Sequence, residues 1–480
     1  MKLPSSKAGL AIFLLVLLGG WLLSGTAPDQ MYRVFPGYFP DPEKWWSESP
    51  LTSQPITEAR LSEAVIVARD EARSNGMQTV AAVSDKQILF GDTHVHTTNS
   101  ADAFMYSLPL IHGAVGAFPP AYACDYARFI SQLDFYFLTD HAESFTQRQW
   151  RDAIASVQQC NQLAGESENP DLMAFVGWEW TQVGATAEKH YGHHNVLFKD
   201  DAFDLLPARP IGSTGAGVAT VASRSESSKQ PAAVQLLDPR HRSYYAAYND
   251  WVGLMAATPA CDTSVPSPQL PVDCYESVSS PSQLFEKLDE WGLDNIVIPH
   301  GTSWGFYTPP GSSWQTHLNK DDVDPSMTPL IEVYSGHGNS EPYAKTIARI
   351  ENADGSYSCP SPTKDYLATC WQMGEVIKKR CINENKNIEE CDKRAAEARQ
   401  LAVNTGTNYA FLTAPGSTPE DLLDAGQARD MFNPAFNYRP KKSTQYGLAV
   451  RNFDGDKPLG FEWGFIASTD THTSRSGHGF

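Results

Sequence analysis

The chain lacks several features that would each indicate a class of protein. It has no long run of lysine or arginine, and 56 acidic residues against 37 basic ones give a formal charge of −19. Because binding to a nucleic-acid backbone depends on basic side chains that displace its counterions, we expect no nucleic-acid partner. No two cysteines form a C-x-x-C pair, which argues against a zinc–thiolate cluster. With 480 residues, 41% of them hydrophobic, the composition is that of a globular protein.

The N-terminus carries a short apolar segment. Lys2 and Lys7 precede an apolar run from Leu10 to Leu23, and small residues follow it as far as Ala27. This arrangement is typical of a secretory signal peptide covering residues 1–27. The run is shorter than the ~20 residues of a spanning helix, and retention as a membrane anchor is the alternative. In both cases we expect the body of the protein to be exported, either to the periplasm or out of the cell.

Cysteine usage agrees with export. The eight cysteines form an even number, which in an exported chain indicates disulfide bonds. Sequence alone leaves their pairing open, although close neighbours such as Cys261 and Cys274 are natural candidates. Six of the eight fall in two long segments, about 205–280 and 341–459, that interrupt the regular pattern described next. We therefore expect disulfides to stabilise these two insertions.

Seven short strand-like runs determine the predicted architecture. Each is rich in Val, Ile, Leu or aromatic residues without regular alternation, as buried parallel strands are. They cover residues 87–96, 134–141, 174–181, 194–198, 295–301, 330–338 and 465–472. Helical segments between several of them predict right-handed crossovers and a parallel sheet. We predict an α/β fold, a distorted (β/α) barrel over 85–480, with an N-terminal extension over 28–84.

Ionisable side chains cluster at the ends of these runs. Five of the seven runs carry His or Asp at the C-terminal edge, the third carries Glu179 there, and the fourth begins at His194. The C-terminal strand ends of a parallel barrel meet at one rim, where such folds carry their chemistry. His94 and His96 share one face of a strand, because alternate side chains point the same way. Histidine and carboxylate donors without cysteine favour a hydrolytic site with two or three Zn, Mn or Fe ions over a structural zinc site.

The order of these residues resembles that of the polymerase-and-histidinol-phosphatase (PHP) superfamily of metal-dependent phosphoesterases. Its motifs are an H-x-H pair, an acidic or His residue soon after it, T-D-H, an isolated Glu, two further histidines and a terminal D-x-H. The matching residues are His94, His96, Asp102, His141, Glu179, His194, His300, Asp470 and His472. The strings GDTHVHT, GWEWT, IEVYSGHGNSE and STDTH resemble most a large exported branch of unknown function. The resemblance spans about 87–472 and implies a barrel of seven strands. Chains of that branch continue beyond the last motif, so we expect closing structure after Phe480.

The resemblance also implies a role for each of these residues. His94, His96, Glu179 and Asp470 would hold one metal, Glu179 would bridge to a second held by His194 and His300, and Asp102, His141 and His472 would hold a third. Asp140 would orient its neighbour His141. From its place beside His194, and not from the resemblance, His193 is expected to be either a supporting residue behind a ligand or a loop residue. A hydroxide shared by two cations would attack phosphorus, since metal binding lowers the pKa of water from about 15.7 toward ~7.

Two further residues are candidates for catalysis, each with a structural alternative. Arg475, three residues after His472, either steadies the negative charge that develops on the phosphoryl group or is a surface arginine. His337, between two glycines after a strand-like run, either donates a proton to the leaving group or closes a turn.

The leading functional hypothesis is an exported metal-dependent hydrolase that cleaves a small-molecule phosphate ester. The same residues could act on an amide, a lactone or a sulfate ester, and a barrel that binds metal without catalysis is a third alternative. The acidic net charge does not oppose a phosphate substrate, because bound cations are the largest charges in such a site. The donor set accepts several metals, so the sequence leaves the metal open.

Overall fold

The computed structural model describes most of the chain beyond residue 56. The described residues are 57, 59–80, 88–112, 118–165, 169–215, 224–305, 307–336, 338–341, 349–364, 366–404, 414–416, 421, 425 and 439–478. The predicted signal or anchor at 1–27 lies outside them, as does much of the predicted extension.

The described residues contain helices and strands in the following order. The helices are α1 (Glu63–Val80), α2 (Ala101–Ser107), α3 (Pro109–His112), α4 (Pro120–Tyr126), α5 (Gln147–Gln162), α6 (Ala232–Leu237), α7 (Arg242–Ala257), α8 (Pro281–Trp291), α9 (Thr369–Asn383), α10 (Ile388–Asn404) and α11 (Thr444–Ala449). The strands are β1 (Gly91–Val95), β2 (Phe135–Leu138), β3 (Met173–Gln182), β4 (Gly192–Phe198), β5 (Ile211–Ser213), β6 (Glu276–Val278), β7 (Asn295–His300), β8 (Leu330–Ser335), β9 (Gly338–Asn339), β10 (Ile350–Glu351), β11 (Tyr357–Ser358) and β12 (Gly464–Ala467).

A curled five-stranded sheet forms the centre of the molecule, in the order β1-β2-β3-β4-β7. A second sheet has the order β12-β8-β9, in which β12 and β8 pair in parallel. Each of the seven predicted runs contains one strand: β1, β2, β3, β4, β7, β8 and β12. The mixed α/β class is therefore confirmed, and the strands form a curled half-barrel.

The prediction of an entirely parallel sheet is wrong at β4. Strands β1, β2 and β3 are parallel, but β4 runs antiparallel to both β3 and β7. The connection between β3 and β4, residues 183–191, contains no helix. A connection this short makes a hairpin, because a parallel crossover needs about a dozen or more residues.

The two sheets meet at the end of β1. Val95 forms a parallel bridge with Thr471, which follows β12. The backbone N–H of His96 donates to the carbonyl of Thr471 at 2.9 Å. These contacts bring Asp470 and His472 beside the H-x-H pair, although more than 370 residues separate them along the chain.

The outer face of the five-stranded sheet is apolar. Trp178 of β3 packs edge-on against Trp150 of α5, with ring centroids 5.6 Å apart, and Phe198 of β4 lies on its other side at 4.9 Å. Each such side chain contributes about 1.5–3 kcal/mol when fully buried. Helices cover this face, and His94, Glu179 and His300 are on the opposite, inner face.

The described part of the N-terminal extension lies at the opposite end of the strands from the rim. Arg69 and Arg73 of α1 form ion pairs with Asp134, just before β2. Arg69 also donates to the carbonyl of Asp171, just before β3, at 2.8 Å. These contacts secure α1 to the N-terminal ends of the strands.

Four disulfides join the eight cysteines. They are Cys124–Cys160, Cys261–Cys274, Cys359–Cys370 and Cys381–Cys391. The prediction for Cys261 and Cys274 is confirmed, and three of the four bonds lie within the two long insertions. Four disulfides indicate an oxidising, extracellular environment. Within the described residues, no helix has both the length and the apolar character needed to cross a bilayer.

Candidate metal centre

The H-x-H pair projects from β1 into the curled sheet. His94 and His96 are both fully buried, and their Nε2 atoms are 3.1 Å apart. The Nδ1 of His96 contacts the hydroxyl of Ser100 at 2.8 Å, and the Nδ1 of His94 contacts Oε2 of Glu332 at 3.1 Å. A hydrogen bond at Nδ1 fixes the tautomer, so each ring presents Nε2 as a free donor atom.

Two carboxylates complete a compact group of donors around this pair. Oε2 of Glu179 lies 3.4 Å from Nε2 of His94 and 3.2 Å from Nε2 of His96. Oδ1 of Asp470 lies 3.3 and 3.1 Å from the same two atoms. Four tetrahedral donors at about 2.0–2.2 Å from one ion are ~3.3–3.6 Å apart. The distances from each carboxylate to the two imidazoles are close to this range, and His94, His96 and Asp470 offer three donor atoms within 4.8 Å of one another that could hold a metal ion.

Asp470 reaches this position through an uncommon backbone conformation. Its φ is 51°, in the left-handed region that aspartate enters more readily than most residues. The buried carboxylate of Asp92 holds the segment on both sides of it, accepting from the backbone N–H groups of Thr469 at 3.1 Å and Gly477 at 2.8 Å. Backbone strain of this kind persists only where the surroundings enforce it, and it is common at functional sites.

The second oxygen of Glu179 faces a different set of donors. Oε1 lies 2.8 Å from Nδ1 of His193 and 3.5 Å from Nε2 of His300, and it accepts from the hydroxyl of Thr181 at 3.0 Å. His94, Glu179 and His300 together offer three donor atoms within 4.8 Å of one another. Glu179 can therefore bridge two cations, one through each oxygen.

The prediction that His194 is a ligand beside Glu179 is wrong. In the register of the β3–β4 hairpin, His193 faces Thr181 and His194 faces Trp180. The ring of His194 packs edge-on against Trp180 at 5.5 Å, and its Nδ1 contacts the carbonyl of Gly192 at 3.1 Å. Because adjacent side chains of a strand point to opposite faces, His194 lies on the outer face and His193 takes the inner position.

A third group of donors lies on the rim side of the first. Oδ2 of Asp102 is 3.2 Å from Nε2 of His141 and 3.1 Å from Nε2 of His472. The Nδ1 of His472 contacts the carbonyl of Asp470 at 3.1 Å, which directs Nε2 toward Asp102. His96, His141 and His472 also offer donors within 4.8 Å of one another. The three residues that were predicted to hold a third metal, Asp102, His141 and His472, thus lie together beside the first group of donors.

Asp140 supports the ligands through hydrogen bonds. It accepts from the backbone N–H of Thr97 at 2.6 Å and from the hydroxyl of Ser100 at 2.7 Å. That hydroxyl in turn contacts Nδ1 of His96 and the backbone N–H of His141. Asp140 therefore orients both histidines indirectly, with Ser100 as the intermediate.

Glu332 is not among the predicted site residues, because it lies inside the apolar run of β8 and not at its end. The residue is buried, and its carboxylate contacts Nδ1 of His94 through both oxygens, at 3.2 and 3.1 Å. A carboxylate behind a ligating histidine orients the ring and increases its basicity. A single acidic residue in a buried strand-like run is the signal that could have identified it.

Weakening this carboxylate–histidine pair is expected to lower metal affinity. We expect Glu332→Gln to lower metal affinity about tenfold and Glu332→Ala to lower it nearer to 100-fold. Mutating such partners of metal-binding histidines typically lowers metal affinity by about 10- to 100-fold. The measurement is competition with a calibrated chelator, with the exposed Glu351→Gln as the matched control. Wild-type affinity in both Glu332 variants would contradict the assigned role.

Histidines and carboxylates of the metal-free centre stabilise each other's charged forms. Burial alone would lower the pKa of His94, but Asp470 and Glu332 raise it well above its usual value. Burial would likewise lower the pKa of His141, which Glu179 and Asp102 raise well above its usual value. Burial would raise the pKa of Glu179, but the nearby histidines hold it well below the ordinary range. In the absence of metal, the raised pKa values favour protonated His94 and His141, whose positive charges balance the neighbouring carboxylates.

This charge balance predicts opposite pH dependences for metal-free and metal-loaded protein. A histidine with a raised pKa stabilises the fold fully below the unfolded value of ~6.5, and this contribution is lost as pH rises through the folded pKa. We therefore expect the Tm of chelated protein to fall as the pH rises above about 6.5, the ordinary pKa of histidine. Over the same range metal affinity increases, because ligands lose protons before they bind. Thermal unfolding with and without chelator checks this, and a Tm of chelated protein that rises with pH would contradict it.

The two candidates for catalysis outside the ligand set have different outcomes. The guanidinium carbon of Arg475 lies 5.4 Å from the centroid of the Phe118 ring, which is the contact the structure shows for this side chain. Arg475 is partly exposed, with its Nε buried, and its role stays a prediction. His337 lies outside the described residues.

Comparison with known proteins identifies a similarity over part of the chain. A family model described as a protein of unknown function, DUF3604, matches residues 83–164. The matched segment contains the H-x-H pair, Asp102 and His141. No curated protein and no solved structure matches the chain.

Proposed function

We propose that this protein is an exported, metal-dependent phosphoesterase of the PHP type, with two or three divalent cations in a complete seven-stranded barrel. The observation that carries the proposal is the position of Glu179. Its two oxygens face two separate groups of nitrogen donors, which is the arrangement of a carboxylate that bridges two cations. Sites with two cations clamp the attacking and leaving oxygens of a displacement at phosphorus.

The charge of the centre supports an anionic substrate. Glu179, Asp470, Asp102 and Glu332 would bring four negative charges, so two divalent cations would balance them and three would leave a net charge of about +2. The ion pairs that the structure shows for these carboxylates are with histidines. The positive charge that attracts a phosphate ester would then come from the cations themselves.

The side chains of this chain have defined tasks in such a reaction. His94 and His96 provide fixed nitrogen donors, because Glu332 and Ser100 hold their rings from behind. Glu179 holds the two cation positions at a constant separation. Asp102 and His472 form the more exposed side, where the ester would approach. Bound cations would supply Lewis acidity and a water of lowered pKa.

Contacts at both ends of the half-barrel support the proposed closure of the barrel. In the proposed barrel, β8 and β12 would continue the order β1-β2-β3-β4-β7. In support of this, the backbone N–H of Val297 in β7 donates to the carbonyl of Met327, just before β8, at 2.7 Å. The bridge between Val95 and Thr471 then returns to β1.

The decisive experiment combines metal analysis with a substrate panel. Purified protein should contain Zn, Mn or Fe and should hydrolyse phosphate esters in preference to matched sulfate esters, lactones and amides. His94→Ala and Asp470→Ala should remove both metal and activity. Preference for another bond would redirect the proposal to a different hydrolase, and bound metal without turnover on any substrate would indicate a binding protein.

A further inference from the structure

The donor groups of the centre differ in how much solvent they meet. The side chains of His94, His96 and Glu179 are at most 2% exposed, whereas that of Asp102 is 14% exposed and that of His472 is 8% exposed. His193, beside Oε1 of Glu179, is 11% exposed. The side of Asp102 and His472, which includes the most exposed of these side chains, is therefore one side from which a molecule in solvent can reach the centre.

An aromatic residue lies at this open side. Tyr106 is on α2, four residues after Asp102, and residues four apart share one face of a helix. Its ring centroid is 5.8 Å from that of His472, at an interplanar angle of 52°.

Tyr106 is nevertheless 37% exposed, unlike Phe104, the other aromatic residue of its helix, which is 9% exposed. Phe104, two residues earlier, is on another face of α2 and packs against Tyr248 and Trp251 with centroids 5.5 and 5.7 Å away. Phe104 therefore holds the helix in place, and the ring of Tyr106 keeps an open surface beside the centre.

We infer that Tyr106 forms one wall of the entrance and contacts the leaving group of the substrate, so that the enzyme prefers esters whose leaving group carries an aromatic ring. This inference rests on the proposed function. The phosphoryl group would reach the cations while the ring of the leaving group packs on Tyr106, because the two are neighbours at the open side. Aromatic pairs favour offset or edge-on contact with centroids about 4.5–7 Å apart, which a half-exposed ring can offer.

Binding of two non-hydrolysable probes tests this inference in the metal-loaded full chain. The probes are phenylphosphonate and methylphosphonate, which differ in the ring. We expect wild-type protein to prefer phenylphosphonate, and Tyr106→Ala to reduce that preference by about three- to tenfold, the usual worth of an aromatic pair. Tyr106→Phe, which keeps the ring, should retain the preference for phenylphosphonate. Phe453→Ala removes an exposed ring elsewhere and should behave as wild type.

Two results would overturn the inference: a wild-type protein without preference for the phenyl probe, or equal losses in Tyr106→Phe and Tyr106→Ala, which would assign the effect to the hydroxyl. Metal content, measured in every variant, excludes damage to the centre as the cause. Hydrolysis of phenyl phosphate and methyl phosphate by wild type is tested in parallel. If neither phosphate ester is cleaved, the proposed function is contradicted. If both are cleaved and Tyr106→Ala leaves the ratio of their rates unchanged, only the inference about Tyr106 is contradicted.

Discussion

Replacing Glu179 with glutamine is expected to reduce kcat/KM on a phosphate ester by more than about 100-fold, because even the outer partners of metal ligands are worth about 10- to 100-fold. Glutamine keeps the shape of the side chain but loses the charge that two cations would share. Oε2 of Glu179 lies among His94, His96 and His141, and Oε1 lies beside His193 and His300. We therefore expect the bound metal to fall by at least one ion per chain.

The measurement pairs metal content by elemental analysis with steady-state kinetics. Glu188→Gln is the matched control, since Glu188 is an exposed residue in the connection between β3 and β4. Metal content is independent of the substrate, so it tests the bridging role even if the substrate class is different. A Glu179→Gln protein with full metal content and full activity would refute the bridge.

The second large effect separates two adjacent histidines. His193→Gln is expected to remove one metal ion and to lower activity by more than about 100-fold, on the same scale of ligand loss. His194→Gln is expected to keep the metal ion and the activity. The reason is the register of β4, in which Nδ1 of His193 is 2.8 Å from Glu179 while His194 packs against Trp180 on the outer face.

His194→Gln should show a different, structural effect. Burial lowers the pKa of His194 to about 3, so the ring is neutral near neutral pH and contributes through packing. We expect a loss of about 1 kcal/mol in unfolding free energy, a common cost of a buried substitution. Thermal unfolding and metal analysis of the two variants side by side show which of the two histidines binds metal and which contributes only through packing. Metal loss in His194→Gln, with retention in His193→Gln, would reverse the assignment.

The positions of the strands and most of the donor residues could be predicted from the sequence. Buried strands need continuous apolar runs, and these runs are visible without a structure. Polar residues at their ends stand out against that background, which is how His94, Glu179, His300 and Asp470 were identified. Their grouping into neighbouring sets was implied by the resemblance and matches the distances, except at β4.

The features that the sequence did not reveal share one physical cause, since each depends on segments that meet only after folding. His193 and His194 are adjacent, and their chemistry is identical, so only the register of the hairpin distinguishes them. Glu332 was overlooked because its partner, His94, is 238 residues away in the chain. The packing of Arg475 on Phe118 likewise depends on two segments that meet only after folding.

Local pattern by itself determined which segments become strands, which residue types they present at their ends, and that the cysteines are oxidised in an exported chain. These properties depend on burial and side-chain chemistry over a few residues. Only the tertiary structure decided the direction of β4, the inner position of His193 and the pairing of Glu332 with His94. Those depend on which strands lie side by side, and a shift of one residue in that register turns every side chain to the other face.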